Sequence, residues 1–134
     1  MKLRIKGNSI RLRLGQSEVR RLATDGTVEE ITSFGPSKEQ RLSYAICVSP
    51  EAHDVTATFA ERRIVLRVPR SVIDPWATTD QVSILALQRI GDGGELRILI
   101  EKDFECIEAP PDESQEDAFP RQPVGAACGG GTGN

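Results

Sequence analysis

Ile10-Arg11-Leu12-Arg13-Leu14 and Ile64-Val65-Leu66-Arg67-Val68 stand 54 positions apart and read alike, with an apolar side chain at every second position. A period of two is the mark of a strand with one face turned to a core. Carried along the chain without a gap, the same shift sets Leu22-Ala23-Thr24 on Trp76-Ala77-Thr78 and Val28 on Val82. Further on, Leu42, Tyr44 and Ile46 fall on Leu96, Ile98 and Ile100. Between 10–48 and 64–102 there are nine identities in 39 aligned positions. Self-similarity at a fixed spacing points to a duplicated unit, and that decides the fold before any single element is considered.

Each copy has the same parts. In the first, Leu3-Arg4-Ile5 alternates, Gly7-Asn8 supplies a tight turn, and Ile10–Leu14 alternates again, which predicts a β-hairpin. Gln16–Ala23 places Val19 and Leu22 three apart, predicting a short helix that Asp25-Gly26 ends, since glycine tolerates the left-handed conformation of a helix stop. Residues 28–34 and 42–48 then form a second hairpin across Gly35-Pro36. The second copy repeats the scheme with 55–59, a Glu61-Arg62 turn, 64–68, a helix opening at Pro69, and strands at 81–88 and 95–102. Pro69 suits a first helical position. Pro75 is expected to break that helix, or to restart it with Asp74 as the cap.

The 134 residues have room for one domain with one core. The expected architecture is mainly β with two short helices. Two interleaved ββαββ repeats, 1–48 and 55–102, make a pseudo-two-fold, barrel-like domain over 1–103, joined through Ser49–His53. Residues 104–134 are expected to form an acidic, Pro/Gly-rich tail. From Asp103 to Asp117 there are seven acidic residues and no basic one, with Pro110 and Pro111 among them. Such a composition offers little surface to offset ordering entropy, so the tail is expected to hold little fixed structure.

Charge is distributed unevenly. Residues 1–70 carry 13 basic and 8 acidic side chains, and residues 71–134 carry 4 and 12. With Leu3, Ile5, Ile10, Leu12 and Leu14 inward, the cations Lys2, Arg4, Lys6, Arg11 and Arg13 all point outward on the first hairpin. Like charges facing across a hairpin destabilise it, and no acid lies on these two strands. Two readings are open: an external polyanion balances the cluster, or Glu29, Glu30 or the acidic tail does so within the molecule. In the second copy Thr56, Thr58 and Ala60 stand where the first has Lys2, Arg4 and Lys6, and Val65 stands for Arg11. Arg62, Arg63 and Arg67 persist, so any DNA contact is expected to be lopsided, weak or nonspecific.

The run Arg4-Ile5-Lys6-Gly7-Asn8-Ser9-Ile10-Arg11-Leu12-Arg13-Leu14 resembles the first hairpin of MazE-like antitoxins. The stretch Ile64–Pro69 through Asp80-Gln81-Val82 to Leu96–Ile100 resembles the AbrB type. This likeness to swapped-hairpin domains covers roughly 1–102. It implies interleaved hairpins, and a hairpin face that binds double-stranded DNA through Arg4, Lys6, Asn8, Arg11 and Arg13, with Arg62, Arg63 and Arg67 as second-copy counterparts. It also implies an acidic tail that wraps a basic protein partner, with Phe104, Ile107 and Phe119 as anchors. Two units in one chain can satisfy each other, so a monomer is expected.

Two function classes follow: a DNA-binding regulator or antitoxin-like protein, and a non-enzymatic interaction or structural module that has lost DNA binding. No apolar run reaches membrane-span length, and the first residues alternate charge with apolar side chains. The chain therefore reads as cytoplasmic. Cys47, Cys106 and Cys128 form no disulfide framework. His53, the single histidine, has no nucleophile nearby in sequence, and no metal or phosphate-loop spacing occurs. Neither an enzyme nor a cofactor is expected.

Overall fold

A computed structural model of the chain describes residues 1–104 and 117–120. Eight strands and two helices follow one another as β1 (Lys2–Lys6), β2 (Ser9–Leu14), α1 (Gln16–Asp25), β3 (Thr27–Ser33), β4 (Arg41–Ser49), β5 (Thr56–Ala60), β6 (Arg63–Pro69), α2 (Arg70–Thr78), β7 (Ser83–Arg89) and β8 (Glu95–Lys102). The fold is mainly β, with two four-stranded sheets. Their strand orders are β1-β2-β8-β7 and β3-β4-β6-β5. Each sheet therefore combines one hairpin from each half of the chain. The joins are parallel, β2 with β8 and β4 with β6, whereas the hairpins are antiparallel.

The alternation seen in the sequence fixes which face packs. Ile10, Leu12 and Leu14 of β2 and Ile98 and Ile100 of β8 turn inward, opposite Ile46, Leu66 and Val68 of the other sheet, in one cluster with Leu22 and Trp76. Among the described residues the largest fully buried side chain is Trp76, whose indole N–H donates to Val82 O at 2.9 Å. Burying each large apolar side chain contributes about 1.5–3 kcal/mol.

The seams between the sheets use polar groups. At one, the Gln88 amide brackets the edge strand β5, accepting from Ala57 N at 2.7 Å and donating to Ala57 O at 2.9 Å. At the other, the Met1 ammonium lies between Glu18 and Glu30, 2.6 Å from the latter. Burial alone would lower its pKa, but the hydrogen bonds and charges of Glu18 and Glu30 outweigh that and raise it above 8.0.

Four expectations need correction. Pro75 does not break the second helix: α2 runs through it. A mid-helix proline costs about 3 kcal/mol, but its neighbours Ile73 and Trp76 are both fully buried and together offset that. Pro69 is the residue before the helix, ending β6, instead of its first residue. Val28 does not correspond to Val82: Val28 lies opposite Ile46, and Ile84 lies opposite Ile100. Gly26, at φ +86°, turns α1 directly into β3, whereas α2 has no glycine stop and spends Thr79–Val82 before β7 begins.

The fourth correction concerns the tail, of which Asp117–Pro120 have defined positions on the domain. Gly15 precedes α1 and has no side chain to cap it. Asp117 supplies the cap from a hundred residues away, accepting from Ser17 N at 3.0 Å and Ser17 Oγ at 2.8 Å. Gln16 N donates to Asp117 O at 2.8 Å. A β-carbon on Gly15 would fall 2.2 Å from the Asp117 carboxylate and 2.6 Å from its carbonyl, so the approach requires glycine. Phe119 N then donates to Asp103 O, and its ring meets Phe104 at 5.7 Å between centroids.

Candidate polyanion-binding face

The outer face of the sheet β1-β2-β8-β7 is ordered in rows by the strand register. Nearest the hairpin tip, Lys6, Ser9, Arg97 and Leu87 lie side by side. Arg4, Arg11, Leu99 and Leu85 come next, and Lys2, Arg13, Glu101 and Ser83 after them. Period-two alternation puts all of them on the face opposite Ile10, Leu12, Ile98 and Ile100. Six of these twelve residues are cations and three are leucines, with Leu85 and Leu87 each more than half exposed.

One acid on this face mediates the charge. Glu101 Oε1 meets Arg11 Nε at 3.2 Å and Arg13 Nε at 3.3 Å, so a single carboxylate serves two guanidinium groups. Lys2 Nζ reaches Asp103 at 3.0 Å. Arg11 is held below its ordinary pKa, first by burial and then by Arg13 and Arg4, against the opposing pull of Glu101. Arg4, Lys6, Arg11 and Arg97 converge with Ser9 and Leu99 around a concavity of about 550 Å³.

The structure brings together Arg4, Lys6, Arg11 and Arg13 of the sequence-derived set. It does not bring Arg62, Arg63 or Arg67 to them. Those belong to the hairpin β5–β6 in the other sheet, where Arg63 is bound by Glu29 at 3.0 Å and Arg67 Nη1 donates to Thr58 Oγ1 at 2.9 Å. The Arg63 contact holds the Glu29 carboxylate below its usual range. Glu29, one of the acids expected to balance the basic hairpin, thus serves the opposite sheet, and Glu30 serves the Met1 ammonium. Asn8 is exposed, and its Nδ2 donates to Glu95 O at 2.5 Å, tying the β1–β2 turn to the start of β8.

Sequence reading missed Arg97, Glu101 and the leucines of this face. Their alternation in β7 and β8 was legible, but their place beside β2 depends on a pairing of residues 88 apart. Phe104 and Phe119 contact each other, and the Lys102 ammonium lies 5.5 Å from the Phe119 ring and 5.8 Å from Trp76. Burial lowers the pKa of that ammonium, which also donates to Thr79 O at 2.7 Å. Ile107, Cys106 and Cys128 lie outside the described residues. Among the described residues no three His, Cys, Asp or Glu side chains are grouped to hold a metal ion, and no helix is long and apolar enough to cross a membrane.

The molecule is thus a two-sheet, mainly β protein with a basic sheet face. The chain belongs to a family of unknown function (DUF7009), whose model matches residues 1–123. That span takes in both sheets and Asp117–Pro120. No curated protein and no solved structure matches the chain.

Proposed function

We propose that the protein binds double-stranded DNA through the outer face of the sheet β1-β2-β8-β7, as a regulator or antitoxin-like protein. The observation that carries this is the convergence of Arg4, Lys6, Arg11 and Arg97 on one concavity, with a fifth cation, Arg13, sharing the Glu101 carboxylate with Arg11. Phosphate oxygens complement that arrangement, and neutralising them releases counterions. The grip is one-sided, because the other sheet presents Thr56, Thr58 and Ala60 where this one presents Lys2, Arg4 and Lys6.

The scaffold in this reading is a duplicated swapped-hairpin domain, of the kind resembled by AbrB and MazE-type proteins, closed into a barrel-like monomer. Its support is arithmetic. Ile10 pairs with Ile98, and Ile64, 54 residues on, pairs with Tyr44, 54 residues back; all six pairs of the β2–β8 join have such a counterpart in the β4–β6 join. Residues 1–48 and 55–102 then complete each other, and truncation after Val48 yields a half that dimerises or aggregates. A stable, monomeric, folded half would rule out interleaving.

A second reading has its own observation. Leu85 and Leu87 continue the face beyond the cations, and a duplex leaves them uncovered; an acidic, amphipathic protein surface would cover both. Fluorescence anisotropy on a labelled random duplex separates the readings. An Arg4→Gln, Lys6→Gln, Arg97→Gln variant loses binding under the DNA reading, while an Arg63→Gln, Arg67→Gln variant keeps it. Equal losses in both would remove the assignment to this face. Absence of duplex binding by the intact chain at low salt would favour the protein partner.

A further inference from the structure

Both hairpin turns and both longer loops lie at one end of the molecule, opposite the helices. The parallel joins require this, since they set the start of β2 beside that of β8 and the start of β4 beside that of β6. At that end a groove of about 400 Å³ opens between the sheets, walled by Ile5, Ile10, Leu42, Phe59, Ile64 and Leu96. In or just before each of the four connections a large apolar side chain is exposed to solvent: Ile5 at 59%, Phe34 at 75%, Phe59 at 69% and Ile90 at 45%. Core packing does not account for four such residues at one pole, and apolar surface gathered in this way marks interaction sites.

The charge around the groove selects the occupant. Residues 5–9, 33–42, 59–64 and 88–97, which form this end, carry seven Lys or Arg and four Asp or Glu. A second copy docked end to end would set two such positive surfaces against each other. An acidic polypeptide meets an attractive field and can place an apolar side chain in the groove.

We propose that this end is a docking surface for an acidic segment of a partner protein, anchored by an aromatic or leucine side chain between the two hairpin turns. The groove adjoins the concavity of Arg4 and Arg11, sharing Gly7, Ser9 and Ile10 with it, but its apolar walls come from Ile5, Leu42, Phe59, Ile64 and Leu96, so its occupant goes beyond the DNA reading. It also gives a role to the Glu61-Arg62 turn, whose residues both take the left-handed conformation (φ +51° and +63°) that is costly outside glycine and asparagine.

Selection of a random dodecapeptide phage library on the full-length chain tests this. The expected result is enrichment of sequences with Phe, Trp or Leu flanked by Asp or Glu. A synthetic peptide of that kind should bind the intact chain and bind a Phe34→Ser, Phe59→Ser variant at least tenfold more weakly. Both replaced side chains are exposed, so circular dichroism of the variant should match the parent. Amide shifts of the parent on peptide addition should concentrate at Ile5, Phe59 and Ile90, a readout independent of the variant. Overturning results are enrichment of neutral or basic sequences, no enrichment, or equal affinity for the variant. Self-association in sedimentation that the variant abolishes would make a second copy the occupant and equally overturn the proposal.

Discussion

Replacing Asp117 with alanine removes a helix cap supplied across a hundred residues of chain. The two side-chain bonds lost run from Ser17 N and Ser17 Oγ. Loss of a capping side chain costs about 0.5–2 kcal/mol, typically about 1. Asp117 is exposed, which argues for the middle of that range, and the carboxylate's interaction with the helix N-terminus adds about 0.3–1 kcal/mol. The expected loss is about 1–2 kcal/mol, or a melting temperature roughly 4–12 °C lower for a domain of this size. Asp117→Asn keeps a capping oxygen and should lose about half as much. Gly15→Ala acts on the same joint differently: its β-carbon would displace the Asp117 backbone, breaking the Gln16–Asp117 hydrogen bond as well as the cap. Urea unfolding followed by Trp76 fluorescence and circular dichroism measures all three. The Gly15→Ala, Asp117→Ala double variant should lose less than the two single losses combined, because both disrupt one contact. If Asp117→Ala shifts stability by less than about 0.3 kcal/mol, or if the two losses add fully, the trans-cap account fails.

Other predictions follow from the seams and turns. The Met1 ammonium has a raised folded-state pKa, so its contribution is complete below about pH 8 and is lost as pH climbs through the raised value. The stability difference between the parent and a Glu18→Gln, Glu30→Gln variant should therefore shrink between pH 7 and pH 10 in urea titrations, and a constant difference would contradict it. Glu61→Asn with Arg62→Gly places the preferred residues of a two-residue turn where both φ are positive, and should raise stability by about 1–2 kcal/mol. No gain in the urea midpoint would show that the turn is not strained.

How much of this was legible in the chain depends on the range of the interaction. Alternation in Ile10–Leu14 and Ile64–Val68 identified strands and their inward faces, and Gly26 marked a helix end, because those signals lie within a few residues. Pro75 misled because proline's penalty is local while the burial of Trp76 that overrides it is tertiary. The ungapped shift failed at Val82 because the two helices end differently, which a count of identities does not register. For the candidate site, alternation placed Arg4, Lys6, Arg11 and Arg13 on one face, and the structure adds that β8 contributes both Arg97 and the balancing Glu101. Capping is read from the residue just before a helix, so a glycine at 15 gave no sign of Asp117.

The central claim, a phosphate-binding sheet face, is tested most directly by the salt dependence of duplex affinity. Arg4, Lys6, Arg11 and Arg97 correspond to roughly three to four phosphate contacts, each adding about −0.9 to the slope of log affinity against log salt. Raising salt from about 50 to 200 mM should then weaken binding by roughly 40–150-fold, and Lys6→Gln should reduce the slope by about one. A slope near zero, or one that Lys6→Gln leaves unchanged, would contradict the account.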